Sequence, residues 1–80
     1  MKDYFYYIIN VIDNVPHYYS HWEEVVEGSG VYGIVWNENL AYGHGFTTEA
    51  KAKKMRERIL KYDDRTGCII SIFFPSFFYN

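Results

Sequence analysis

Residues 4–12, YFYYIINVI, are apolar on both faces of any strand they form. Phe5, Tyr7, Ile9 and Val11 alternate with Tyr4, Tyr6, Ile8 and Ile12, and only Asn10 interrupts. Aromatic and β-branched side chains suit a pleated strand. One that is apolar on both sides needs something packed on each, so a central strand is expected from about Tyr4 to Ile12. Asp13, Asn14, Val15 and Pro16 follow it as a turn. The segment CIISIFF, residues 68–74, repeats the pattern with only Ser71 polar, and Pro75 stops it. A chain of 80 residues has little material to cover two such strands. At this size only about 60–65% of the unfolded surface is buried, around one core. One domain over residues 1–80 is therefore expected.

The intervening segments decide the fold class. Residues 17–27, HYYSHWEEVVE, place Tyr18, Trp22, Glu24 and Val26 at strand spacing. Tyr18, Tyr19, Trp22, Val25 and Val26 also fit helical spacing, so a strand is favoured with a helix as the alternative. VYGIVW, the turn Asn37-Glu38-Asn39 and LAYGHGF read as a hairpin with Asn39 left-handed. Its register pairs Trp36 with Leu40, Ile34 with Tyr42 and Tyr32 with His44 on one face. The reverse pairs Val35 with Ala41, Gly33 with Gly43 and Val31 with Gly45, a nearly bare surface that invites close approach. A helix is expected from about Thr48 to Tyr62, with Thr47 as N-cap and Glu49 favourable to the dipole. Ala52, Met55, Ile59 and Tyr62 form its buried stripe. Ala50 and Ala52 suit a tight fit against the three glycines, and residues 64–67 a type I turn. The sum is an α+β domain, a mainly antiparallel four- to five-stranded sheet on one amphipathic helix, in the order β-β-β-β-α-β.

Charge is unevenly placed. Net charge is −2, yet seven of the eight Lys and Arg residues lie between Lys51 and Arg65. Lys51, Lys54, Arg58, Lys61 and Arg65 fall within about 80° of one another on a helix, a stripe beside the buried one. Cations toward a helix C-terminus also favour its dipole, and Glu57 is spaced to pair with Lys53 or Lys61. An ordinary solvated helix face is thus the first expectation for the stripe. No apolar run approaches the roughly 18 residues of a membrane helix. The lone Cys68 has no internal disulfide partner, and MKDYFYY lacks the features of a signal peptide. A soluble, cytoplasmic protein without a membrane partner is expected.

Chemical motifs are sparse. GSGVYGIV, residues 28–35, looks like the glycine-rich loop of protein kinases over those eight residues alone. The V-A-I-K, H-R-D and D-F-G segments are missing, and the glycines lead into a strand, not into the helix a dinucleotide site needs. Gly28 and Gly30 are read as turn residues and Gly33 as a packing notch. His17 and His21 would chelate from one helix face but stand roughly 13 Å apart on a strand, and His44 and Cys68 join them only through the fold. No metal, cofactor or catalytic residue is assigned. Cys68 is read as a core thiol, and the chain as a non-enzyme.

The aromatic surplus, 21% of residues, carries the functional expectation. One helix, about 10 Å wide, covers about two strands spaced about 4.8 Å apart, which leaves sheet surface open. Such surface meets the tail SFFYN, the segment 17–27, a second copy of the chain or a partner. Tyr32, Trp36, Tyr42 and His44 on the hairpin face, with Trp22, are the expected partner-binding residues, Tyr and Trp being common interface anchors. In size, acidity and aromatic content the chain resembles the small inhibitors encoded by phages and mobile elements, anti-CRISPR proteins among them. That resemblance implies binding to a host protein or nucleic-acid machine, the acidic stretch before Lys51 competing with nucleic acid for a basic groove. The alternative is single-stranded nucleic-acid binding, with bases on sheet aromatics and phosphates on Lys51, Lys54, Arg58, Lys61 and Arg65.

Overall fold

The computed structural model describes residues 4–64 and 66–73. Among the described residues, four antiparallel strands and one α-helix form an α+β domain: β1 Phe5–Ile12, β2 Val15–Glu24, β3 Tyr32–Asn37, α1 Glu49–Tyr62 and β4 Ile69–Phe73. The spatial order is β3-β2-β1-β4, so β1 lies inside the sheet, as its two apolar faces require. Ile12 opposes Val15 across a two-residue turn, and Asp13 and Asn14 both adopt positive φ, 53° and 66°. That geometry matches the right-handed twist of the strands it joins, and Asp and Asn tolerate it. Pro16 pairs with Val11, one step beyond the turn-closing pair, so its missing N–H faces away from β1. β3 reaches only as far as Tyr18, and the proline therefore costs the sheet no hydrogen bond.

The segment 17–27 is a strand up to Glu24, within β2 Val15–Glu24, with an irregularity that explains its double pattern. Tyr19 pairs with Trp36 and His21 with Val35, two steps on β2 for one on β3, so Ser20 is extra. A bulge of this kind shifts the side-chain phase. Tyr19 and Trp22, three apart, consequently share the helix side of the sheet, while Tyr18 faces the other side. Tyr18 and Trp22 therefore do not share a face, contrary to what simple strand alternation predicts.

The second hairpin does not form. Asn37 Oδ1 accepts the Asn39 N–H at 2.8 Å, and Asn39 Oδ1 accepts the Ala41 N–H at 3.0 Å. These side-chain turns divert the backbone from ladder pairing, and Leu40–Tyr42 becomes a single 3₁₀ turn. Asn39 is extended, with φ −94°, not left-handed. The expected pairs of Trp36, Ile34 and Tyr32 with Leu40, Tyr42 and His44 are absent; β3 pairs with β2.

The chain after the 3₁₀ turn instead fills a split in the sheet. β1 and β2 pair only over Ile9–Ile12 and Val15–Tyr18. Beyond that, Tyr6 and Phe46 exchange two backbone hydrogen bonds, 2.9 and 2.8 Å, and the His44 N–H donates to the Tyr19 carbonyl at 2.7 Å. On the side away from α1, a Cβ on Gly43 would lie 3.0 Å from Tyr18 Cβ, and one on Gly45 would lie 3.0 Å from both Phe5 Cβ and Tyr7 Oη. Those separations are below van der Waals contact, so glycine is what lets the rings close over the backbone. Tyr7, Tyr18 and Phe73 then meet edge to face, with centroids 5.6–6.2 Å apart.

The glycines thus receive aromatic rings where alanines were expected. Ala52 is fully buried in the helix-side core with Ile8, Tyr19, Phe46, Ile59 and Cys68, whereas Ala50 is exposed. Gly33 is no tight notch, its nearest neighbour for an added Cβ being Val25 Cγ2 at 3.4 Å. Thr48, one residue later than expected, caps α1 by accepting the Lys51 N–H at 3.2 Å. Glu49 takes the place expected of Glu57, pairing with Lys53 at 3.2 Å. Both partners of that pair are exposed, so it contributes little. Gly28 and Gly30 have positive φ, 79° and 74°, as turn residues between β2 and β3. Among the described residues no helix is long and apolar enough to cross a membrane.

Candidate functional site: an aromatic cleft beneath a cationic helix face

Trp22 on β2 faces the helix because of the bulge at Ser20. Its indole N–H donates to Met55 Sδ at 3.3 Å, and its ring meets Tyr62 at 90° with centroids 5.3 Å apart. The Arg58 guanidinium lies 5.7 Å from the Trp22 ring centroid, within cation–π range. Tyr32, at the start of β3 and opposite Glu24 in the ladder, forms the remaining wall. These four side chains surround an open cavity of about 440 Å³. Two of its walls are surface rather than core, Tyr32 being 50% and Tyr62 56% exposed.

The electrostatics are one-sided at the helix. Lys54 and Lys61 stand one turn before and one turn after Arg58 on the same exposed stripe, and none of the three makes an ion pair among the described residues. Lys51 is engaged elsewhere, its ammonium donating to Thr47 Oγ1 at 3.3 Å. Arg65 lies outside the described residues, as does the tail SFFYN. Across the cleft, Glu24 accepts the Gly30 N–H at 2.9 Å, and Glu27 lies in the loop beyond. Below, burial raises the Tyr19 phenol above its ordinary value, and the Arg58 charge pulls the other way.

Of the five residues expected at a partner site, the fold brings together two, Trp22 and Tyr32. Trp36 turns into the helix-side core, edge to face with Tyr19 at 6.2 Å. His44 is held against Phe46, with ring centroids 4.3 Å apart, and Tyr42 is exposed on the 3₁₀ turn but does not line the cleft. The shared face expected of Tyr32, Trp36, Tyr42 and His44 depended on the hairpin, and is lost with it. Arg58 comes from the basic stripe. Tyr62 was assigned to the buried stripe; its place four residues after Arg58, on the last turn of the helix, is the signal that ring and guanidinium are surface neighbours.

The histidines do not converge. His17 and His21 lie on either side of the bulge and so face opposite sides of the sheet, His17 Nδ1 against the Val15 carbonyl at 2.8 Å and His21 Nδ1 against Ser20 Oγ at 2.8 Å. Among the described residues no three His, Cys, Asp or Glu side chains are grouped to hold a metal ion. Cys68 is buried in the core, as expected of it. No protein-family model, curated protein or solved structure matches the chain.

Proposed function

We propose that this protein is a non-enzymatic protein-binding module that docks a partner in the Trp22–Tyr32–Tyr62–Arg58 cleft. The observation that carries this is the convergence, around one open cavity, of the three residue types most often found as interface anchors: Trp, Tyr and Arg. The cleft offers concave apolar area with one cation at its rim, which suits an inserted side chain. Blocking a host protein, as the small phage-encoded inhibitors it resembles do, is the finer form of the same proposal.

Single-stranded nucleic-acid binding is the second reading, favoured by Lys54, Arg58 and Lys61, which make no ion pair among the described residues, beside the exposed rings of Tyr32 and Tyr62. One feature weighs against it. The sheet aromatics that would stack bases pack in or against the core, as Tyr19 and Trp36 do, or edge to face with one another, as Tyr7, Tyr18 and Phe73 do.

Affinity capture compares the native chain with Tyr32→Ala and Arg58→Ala, both solvent-facing changes. Proteins retained by the native chain, lost by both variants and insensitive to nuclease support the proposal. Equal retention by the variants, or loss on nuclease treatment, contradicts it.

A further inference from the structure

We infer that the cleft, together with the outer edge of β3, takes an extended acidic segment of a partner protein by strand addition; this rests on the protein-binding reading above. β3 is the last strand on its side of the sheet, and among the described residues no other strand pairs with its outer edge. An edge strand directs half of its backbone N–H and C=O groups outward, and proteins usually blunt such edges with charge or proline. YGIVWN has neither. Tyr32 is the first residue of this strand and also a wall of the cleft, so edge and cavity are continuous. An added strand obtains its affinity from main-chain hydrogen bonds and its specificity from side-chain pockets at alternate positions. A side chain entering beside Tyr32 fills the cleft, and its neighbours two residues away stay on the same face.

Charge selects what those neighbours are. Arg58 forms the cleft wall and makes no ion pair among the described residues, with Lys54 and Lys61 on either side of it along the helix. A carboxylate adjacent to the anchoring side chain completes that cationic stripe, whereas a lysine there meets like charge. A second copy of this chain is a poorer occupant, because a β3–β3 pairing brings no carboxylate from YGIVWN to Arg58.

The probe is a heptapeptide of alternating threonines with a central phenylalanine and an aspartate two residues to each side of it. Its counterparts are the same peptide with lysine for aspartate, and an oligothymidylate of similar length. Binding is followed by amide shifts in the full-length protein at physiological ionic strength. The aspartate peptide is expected to bind at least about tenfold more tightly than the lysine peptide. Its shifts should concentrate on the β3 amides and the Trp22 indole, and Arg58→Glu should reverse the preference. Equal or tighter binding of the lysine peptide in the cleft, abolished by Tyr32→Ala, overturns the acidic-segment inference and leaves the protein-binding reading intact. Tighter binding of the oligothymidylate at the same residues overturns both. Shifts away from β3, no binding by any probe, or a concentration-dependent dimer whose interface is β3 overturn the inference.

Discussion

Two aromatic clusters of similar composition end up in opposite states. On the face away from α1, Tyr7, Tyr18 and Phe73 pack edge to face over a floor of glycine backbone, and Tyr7 is only 7% exposed. At the β3 end, Trp22, Tyr32 and Tyr62 line an open cavity, with Arg58, which makes no ion pair among the described residues, on the rim. The difference lies in what fills the centre. Gly43 and Gly45 let rings lie on the chain itself, so that cluster closes without a covering layer. The other keeps an open cavity between Trp22, Tyr32, Arg58 and Tyr62. Aromatic content alone therefore does not set the state of a cluster; whether its rings close over glycine backbone or leave a cavity between them does.

The largest expected effect tests the closed cluster. Tyr7→Ala removes a buried ring and should cost about 3–5 kcal/mol in denaturant unfolding. A loss no greater than that of an exposed residue would mean that the cluster is not closed. Gly45→Ala drives a methyl against Phe5 and Tyr7 and should cost about 1–3 kcal/mol; a neutral or stabilising result would show that the rings are free to move away.

A smaller effect is expected from pH. Tyr19 holds its proton more tightly when folded than at its ordinary pKa of 10.0, through burial opposed by Arg58. Its contribution is full below pH 10, where folded and unfolded chains both keep the proton, and is lost as pH rises past 10 into the folded-state range. Tyr19→Phe should flatten the alkaline fall in stability, measured by denaturation from pH 8 to 11. The smallest effect belongs to the open cluster: Tyr32→Ala should change stability by no more than about 0.5 kcal/mol while removing partner capture.

Much of the scaffold was legible in the sequence because local chemistry and tertiary need agree there. β1 is apolar on both faces, Asp13-Asn14 suits a tight hairpin, and the period of Ala52, Met55 and Ile59 marks α1. Legibility failed where one side chain redirected the backbone. Asn37 and Asn39 each capture an N–H two residues on, and they convert an expected hairpin into a 3₁₀ turn. Ser20 adds one residue to β2, so Tyr19 and Trp22 mimic helical spacing while lying in a strand. The site was half legible for the same reason. Trp22 and Tyr32 were among the expected residues, and Arg58 was in the stripe. The Arg58–Tyr62 spacing carries one half of their meeting, but the other half depends on the phase of the bulge at Ser20, which periodicity does not encode.

The most direct measurement is hydroxyl-radical footprinting of the free protein, with oxidation of each tyrosine read by mass spectrometry. Tyr32 and Tyr62 should oxidise rapidly and Tyr7 and Tyr19 slowly, with protection appearing at Tyr32 and Tyr62, but not at Tyr42, once the aspartate peptide is bound. If Tyr32 and Tyr62 are as protected as Tyr7 in the free protein, the cleft is already closed and the account of an open docking site is wrong.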